Sequence, residues 1–376
     1  MEKNSELRHA WDFVEHTGIS IFLTGKAGTG KTTFLRTLKE KSSKRSIIVA
    51  PTGVAAINAG GMTIHSFFQL PLSPFVPEVN FKNRFDYSKE KRKIIRTLDL
   101  LIIDEISMVR SDVLDAIDSV LRRFREHEKP FGGVQLLMIG DLQQLTPVVT
   151  PEDEVILQRY YDTSYFFGSK ALRSISYVTI ELTHVYRQQD EEFITLLNNI
   201  REGQVSETDL KRLNERFNPN FEPEVGSDYI RLTTHNKMAE SYNEVQLHNL
   251  PSKACTFIAE ADGNFPEYNY PADFKLTLKR GAQVMFIRND NNGRYYNGRI
   301  GHVTHIDNEK ILVLCPGDDK EIEVQQETWE NTKYSLNEKT KQIEAEVQGT
   351  FKQYPLRLAW AITIHKSQGL TFEHAI

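Results

Sequence analysis

Residues Gly25–Thr32 read Gly-Lys-Ala-Gly-Thr-Gly-Lys-Thr, a glycine-rich turn closed by a lysine and a threonine. Each residue type has a use at its spacing. Glycines at 25, 28 and 30 let the backbone curl so that successive N–H groups point inward at an anion. Lys31 sets a positive charge against the outer phosphates of a nucleotide, and the Thr32 hydroxyl is a magnesium ligand. The run ISIFLT before the turn and TTFLRTLKE after it predict the strand and the helix such a loop requires, the helix adding its N-terminal N–H groups. Two carboxylates extend the set: Leu100–Glu105 (LLIIDE) ends an apolar run in Asp104, suited to the metal shell, and Glu105, suited to orienting and deprotonating a water. An isolated Asp-Glu pair is commonly a solvated strand end; the upstream phosphate loop is what favours the chemical reading. The run Leu137–Asp141 ends in the same way. Gln144 just beyond it is a candidate sensor of the terminal phosphate, or with Gln143 a turn cap before Pro147. Arg187, in LTHVYRQ, is the candidate for balancing charge on a transferred phosphoryl group, although a lone arginine is more often a surface residue.

Short apolar runs recur at 19–24, 47–50, 100–104, 135–140 and 177–182, with stretches long enough for crossover helices between them, such as 31–41 and 111–128. That alternation predicts an α/β fold with a parallel sheet covered on both faces. Residues 68–88 interrupt the rhythm: the stretch 69–87, with Pro71, Pro74, Pro77 and four aromatics, predicts an inserted loop or small subdomain. The pattern restarts after about residue 190, with a helix over 191–200 and a strand over 229–234 that ends in Thr-His-Asn. Between 296 and 350 the period becomes strand-like, predicting a small β-barrel inserted in a second α/β unit. The expected division is therefore 1–175 and 176–376.

The sequence has 376 residues, which suggests two or three domains. Its net charge of −5, from 46 basic and 51 acidic residues, argues mildly against a nucleic-acid partner, but charge is uneven. Lys89–Arg96 (KEKRKIIR) holds five basic residues against one acid, while 318–330 is acid-rich, so a basic groove and an acidic exterior are compatible. No apolar run exceeds five residues, far short of the roughly 20 a membrane helix needs. The first residues lack the pattern of a signal or transit peptide, and two cysteines give neither a disulfide framework nor a metal site. The expectation is a soluble protein of a reducing compartment, prokaryotic cytoplasm ahead of nucleus or mitochondrion.

The series GKAGTGKT, APTGVAAINAGGMTIHSF, LIIDEISMV, GDLQQLTPV, VYRQ, MFIRNDNNGRYYNGRIGHV and AITIHKSQGLTF resembles the PIF-one (petite integration frequency) family of superfamily 1B DNA helicases, similar also to RecD-type enzymes. The likeness runs from about residue 20 to the end. It implies two RecA-like domains with ATP between them, a small wedge subdomain in the first and a β-barrel in the second. It implies ATP and Mg²⁺ as cofactors and 5′→3′ unwinding of duplex or structured DNA in repair, recombination, replication or telomere maintenance. Carried onto this sequence, the resemblance makes Lys31, Asp104, Glu105 and Gln144 catalytic parts, with Arg187 an arginine finger. Thr32 and Asp104 are the metal contacts, and Gly25, Ala27, Gly28, Thr29, Gly30, Lys31, Thr32, Thr33 and Gly369 the nucleotide contacts. No glutamine in residues 1–24 matches the family's adenine reader. The family's last motif, Val-Ala-Leu-Ser-Arg with a second catalytic arginine, lies tens of residues past Gln368, so a sequence ending at Ile376 reads as a partial chain.

A single-stranded DNA track needs phosphate hydrogen bonds and faces for base stacking. The resemblance assigns these to Pro51, Thr52, Gly53, Thr63, His65 and Phe67 in the first half. In the second half it assigns them to Thr234, His235, Asn236, Thr363, His365, Lys366 and Ser367. Phe67 reads alternatively as a core residue, because aromatics are usually buried. Residues 75–85 and the basic helix after them are a candidate wedge, or an ordinary loop and a solvated helix. The expected partners are single-stranded DNA and its junctions with duplex, G-quadruplex DNA included, with no membrane and a monomer in the absence of DNA. Rival classes are a P-loop ATPase that remodels RNA or protein and a nucleotide-switched DNA-binding module. Glu105 and Arg187 are catalytic parts the module would not need.

Overall fold

The structure, a computed structural model, describes residues 4–376 apart from 72, 77–86, 187–189, 225–226, 268–269, 289, 291–293, 337–342, 369, 371 and 373. The chain divides into two units, Met1–Phe217 with Tyr334–Ala345, and Asn218–Lys333 with Glu346–Ile376.

The first unit is built on strands β1 (Ser20–Gly25), β2 (Ser46–Ala50), β3 (Met62–Thr63), β4 (Leu100–Ile103), β5 (Gln135–Ile139) and β6 (Tyr177–Leu182). They form one parallel sheet in the order β3-β2-β4-β5-β1-β6. The runs lack polar alternation because both faces are covered. Ile47, Val49, Leu101, Ile103, Leu136 and Met138 face Val113, Leu114, Ile117 and Leu121 of the helix Ser111–Phe124. The alternate residues Ile21, Leu23, Ile48, Leu100, Ile102, Leu137 and Ile139 face the other way. They meet Leu7, Ala10 and Val14 of the helix Ser5–His16, and Phe34, Leu35 and Leu38 of the helix Lys31–Lys41. Each such side chain contributes roughly 1.5–3 kcal/mol by leaving water. A parallel sheet gathers the C-terminal ends of its strands on one edge, where the connecting loops can build a site.

The expected division at 175/176 is displaced. β6 pairs with β1 along its whole length, from Ser20↔Tyr177 to Gly25↔Leu182, so it gives β1 its second neighbour in the first sheet. The helices Glu191–Arg201 and Glu207–Asn214 also fall within the first unit, and the division comes after Phe217. At the expected insertion, Phe68 and Tyr87 are core residues of the first unit, and the Tyr87 hydroxyl donates to the Phe68 carbonyl. The Phe75 amide donates to the buried Asp112 carboxylate at 2.9 Å. Residues 77–86 of the candidate wedge lie outside the described residues.

The second unit continues with β7 (Arg231–Thr233), β8 (Ala254–Ile258), β9 (Glu260–Gly263), β10 (Lys275–Lys279), β11 (Gln283–Phe286), β12 (Ile300–Ile306), β13 (Ile311–Leu314) and β14 (Ile322–Val324). Then come β15 (Glu327–Leu336), β16 (Ile343–Gln353), β17 (Leu356–Leu358) and β18 (Ala361–Thr363). An antiparallel sheet β14-β13-β12-β11-β17 buries Val284, Phe286, Val303, Ile311 and Val313. It reaches past the expected 296–350 to recruit β11 and β17, runs too short to declare a period. β7 and β18 pair in parallel, and Ile230 bridges to Ala375 on the other side of β7. Buried Asn243, on the helix Asn236–Asn249, donates to the Ala361 carbonyl and accepts from its N–H, each at 2.8 Å, so it satisfies the free side of β18. Among the described residues no helix is long and apolar enough to cross a membrane.

Candidate functional site

β1 runs directly into the glycine-rich loop. Gly25 has φ +143°, and a Cβ there would lie 2.6 Å from the Leu182 carbonyl oxygen, so only glycine lets β6 lie alongside as the loop leaves the sheet. Buried Thr29 closes the turn by donating from Oγ1 to the Lys26 carbonyl at 2.8 Å. Gly30 (φ +95°) caps the helix Lys31–Lys41 without a side-chain hydrogen bond, which leaves the first-turn N–H groups at Lys31, Thr32 and Thr33 with no side-chain cap. The Lys31 ammonium donates to the carbonyls of Gly25 (2.5 Å) and Lys26 (3.0 Å). Burial pushes its pKa down, while the charges of Asp141, Glu105 and Asp104 pull it back up. Gly25, Ala27, Gly28, Thr29, Gly30, Lys31, Thr32 and Thr33 thus form one loop and helix start; Gly369 lies outside the described residues.

At the end of β4 the Asp104 N–H donates to the Val49 carbonyl at 2.9 Å, and Glu105 turns sharply away at φ +52°. A side-chain-bearing residue in that left-handed region costs roughly 1–2 kcal/mol. Burial raises the Asp104 carboxyl to about 6, against the Glu105 amide at 3.1 Å and the Lys31 charge. Burial first, and then the charge of Asp104, raise Glu105 to about 7, with Lys31 opposing. Two adjacent carboxyls held above their usual range form a place a divalent cation would relieve. Among the described residues no trio of His, Cys, Asp or Glu side chains is arranged to hold a metal ion. Mg²⁺ is commonly held by one or two carboxylates with a hydroxyl, water and phosphate oxygens, and a carboxylate such as Asp104 and a hydroxyl such as Thr32 are groups of that chemistry.

β5 delivers a third group. The Gly140 N–H donates to the Leu23 carbonyl at 3.2 Å, which sets Asp141 beside the end of β1. Asp141 is 1% exposed. Its carboxylate accepts from the Gln143 amide (3.1 Å), from Gln144 Nε2 (3.0 Å) and from Arg201 Nη1 (2.6 Å). Burial raises its pKa, but the Arg201 and glutamine hydrogen bonds outweigh that and hold it low. Gln144 is thus tied to a buried carboxylate by its side chain, within a turn in which its N–H also donates to the Asp141 carbonyl at 3.0 Å.

The expected DNA-contact residues form one group in each unit. In the first, β2 and β3 are adjacent and end together at Ala50↔Thr63. Pro51, Thr52 and Gly53 start the helix Gly53–Ala59, and Thr63 and His65 the helix Ile64–Phe68. The Thr52 and Thr63 hydroxyls cap these helices, accepting from the Ala55 and Ser66 amides at 3.2 Å each. Burial, and then the nearby Arg110 charge, lower the His65 pKa. Phe67 corrects its assignment: it is 1% exposed, edge-on to Phe68 in the core, and offers no face to a base. Its helix must bury one side, and Phe67 is on that side. In the second unit β7 and β18 end together at Thr233↔Thr363. Thr234, His235, Asn236 and His365 are exposed there, and Lys366 and Ser367 half-buried. Thr363 is buried and caps the helix Ile364–Ser367.

The family described as PIF1-like helicase matches residues 4–211, more than half of the chain. The chain belongs to that family. It is 35% identical to the human ATP-dependent DNA helicase PIF1 over 95% of its own length and 54% of the human protein, so it spans about half of that relative. Among solved structures it resembles Bacteroides sp Pif1 in complex with ADP-AlF4, at TM-score 0.92 and 42% identity, covering all of this chain and 86% of the other. It also resembles Bacteroides Pif1 bound to ssDNA, at TM-score 0.66 and 42% identity, covering 99% and 84%.

In this PIF1-like chain, then, the phosphate loop, Asp104, Glu105 and Gln144 are brought to one edge of one sheet. Arg187 lies outside the described residues; its neighbour Tyr186 donates from N–H to the Gly28 carbonyl at 2.9 Å, on the phosphate loop itself. Sequence reasoning missed Asp141 as a hub and Arg201 altogether. Asp141 stood inside a quoted motif, but Arg201 carried no spacing signal: its partner is 60 positions away.

Proposed function

We propose that the protein is an ATP-driven 5′→3′ DNA helicase or translocase. The observation that carries this reading is the edge where Lys31, Asp104 and Glu105 converge beside the uncapped helix start at Lys31. Mg²⁺, when bound, supplies charge neutralisation across the outer phosphates. Thr32 and Asp104 hold it, and the loop amides and Lys31 hold the phosphates. Glu105, raised toward neutrality, takes a proton from the attacking water. Gln144 reports the state of the phosphate, and Arg187 balances transition-state charge, the role the family resemblance gives it; Gly369 is a further nucleotide contact on the same ground. The Bacteroides complexes with ADP-AlF4 and with ssDNA support the nucleotide and strand ligands by likeness. The division of the chain into an ATPase domain with a wedge near 68–88 and a second domain with an inserted β-barrel belongs to the same reading.

The strand is gripped by Pro51, Thr52, Gly53, Thr63 and His65 in one unit and by Thr234, His235, Asn236, Thr363, His365, Lys366 and Ser367 in the other. Phe67 acts as packing behind the grip. Forks and G-quadruplexes are the substrates, the protein works as a monomer until DNA is present, and a bacterial cytoplasm is its compartment. The test compares ATP turnover without nucleic acid, with single-stranded DNA and with RNA, then unwinding of 5′-tailed and 3′-tailed duplexes. Stimulation by DNA and opening of the 5′-tailed duplex alone are expected. Equal stimulation by RNA, or opening from the 3′ tail, overturns the reading. Affinity for single-stranded DNA should also fall steeply with salt, since phosphate neutralisation releases counterions.

A further inference from the structure

Arg201 is the last residue of the helix Glu191–Arg201, and its side chain is 20% exposed against 1% for its partner Asp141. An ion pair this enclosed differs from a surface pair, which contributes little. A buried carboxylate must be matched, and Arg201 is the cation that matches it. Its place is informative. Asp141 lies two residues beyond β5, whose neighbour β1 feeds the phosphate loop, and the Leu23↔Ile139 register aligns the two ends. Asp141 Oδ2 accepts from both Arg201 and Gln144, so the two side chains are aligned by a single oxygen. The charges of Asp141 and Arg201 both act on the Lys31 ammonium, in opposite directions.

We propose that Arg201 contacts the terminal phosphate of the bound nucleotide and that Asp141 is the positioning residue that holds Arg201 and Gln144 in line for it. This rests on the ATP reading above. A guanidinium has five N–H donors in a fixed fork suited to phosphate. Among the described residues the contact made by Arg201 is the one from Nη1 to Asp141, which leaves directed donors for an anion. The competing reading is a staple that fastens the helix to the sheet. The helix buries none of its side chains, so the ion pair is not the end of a packed core contact. A staple also gives no reason for Gln144 to share the oxygen.

The experiment measures Mg²⁺-dependent affinity for ADP and for a non-hydrolysable ATP analogue, with kcat and KM of DNA-stimulated hydrolysis, in wild type, Arg201→Lys and Asp141→Asn. Arg201→Lys keeps the charge opposite Asp141 but loses the planar fork. It should hold ADP within about twofold of wild type and lose about tenfold for the ATP analogue, the lower end for a charge-assisted hydrogen bond. Its kcat should fall at least about 10²-fold, below the usual range for an arginine finger. Asp141→Asn should shift the same ADP-to-ATP ratio in the same direction by less. Should Arg201→Lys unfold, Asp141→Asn decides by that ratio. An unchanged ratio with wild-type kcat, or equal losses for both nucleotides, overturns the proposal in favour of a staple. A wild-type chain that binds neither nucleotide overturns the ATP reading itself, a separate result.

Discussion

Two aspartates bracket β4, and they live opposite lives. Asp99, at the N-terminal end, accepts from the Arg45 backbone N–H at 3.1 Å and from Nε and Nη2 at 2.7 Å each. Burial pushes its pKa up, but the Arg45 hydrogen bonds prevail and hold it below its usual value. Asp104, at the C-terminal end, accepts the Glu105 amide and stands next to a second carboxyl; burial drives it to about 6. The rest of each edge follows suit. At the N-terminal edge Lys44 donates to Gln135 and to the Thr17 carbonyl at 2.6 Å each, and Glu15 accepts from Ser42 and Ser43. At the other edge Lys31 is satisfied by neutral carbonyls. One edge has its charges matched within the fold; at the other Arg201 matches Asp141, while Asp104 and Glu105 stand side by side as two carboxyls held above their usual range. A carboxyl held above its usual pKa in a cleft is a sign of function, and one held below it by a bidentate arginine is a sign of structure.

The largest expected effect breaks this comparison at its functional end. Glu105→Gln leaves Lys31, Thr32 and Asp104 in place, so binding of Mg²⁺ and ATP should persist. It removes the general base, typically a loss of about 10²–10⁴-fold. DNA-stimulated turnover should fall at least about 10²-fold while thermal stability without Mg²⁺ stays level or rises, because one of two repelling carboxyls is gone. A variant that hydrolyses ATP near the wild-type rate would return Glu105 to the role of a solvated strand end.

The two aspartates also mark what a sequence can carry. The run LLII with an acid on each side is plain in the sequence, and a parallel sheet fixes which end faces the site. What makes the acids different is not local. Arg45 lies 54 positions before Asp99, and Arg201 lies 60 positions after Asp141, so neither pairing leaves a periodic trace. β6 was legible as a strand from its apolar run, but its pairing with β1 was not, and the domain division moved with it. Phe67 shows the same gap at a finer scale. Its helix is five residues long, too short for periodicity to say which side meets the core. The residues named from motifs at the nucleotide edge came together because a motif records a geometry; the residues that orient them had to be seen.

A smaller effect separates the two ends by pH. Asp104 and Glu105 have pKa values raised in the folded chain, so between about pH 4 and 7 the folded state binds more protons than the unfolded one. In chelator-containing buffer, their contribution should make stability fall as pH rises through that window, by on the order of 3 kcal/mol for each carboxyl. The double variant Asp104→Asn, Glu105→Gln should lose this part of the slope in denaturant titrations at pH 4.5, 6 and 7.5. Parallel curves for wild type and variant would mean the pair is solvated and its chemistry unassisted by burial.

The smallest effect belongs to Asp99, and its sign is opposite. Its folded pKa is depressed, so the stability it contributes is present above its unfolded value, near 3.8, and is lost as pH falls through the folded value. Both partners are about one-third exposed, 32% for Arg45 and 36% for Asp99, so solvent screens the pair. Asp99→Asn should therefore lower stability at pH 7 by about 1 kcal/mol, the upper end for partly exposed pairs. The deficit should shrink toward zero in acid, where wild-type Asp99 is itself neutral. ATP turnover should be untouched, because the residue sits a full strand length from Asp104. If Asp99→Asn slowed hydrolysis while leaving the denaturation midpoint alone, the two ends of β4 would be coupled through the strand, and the separation between a structural and a functional edge would fail.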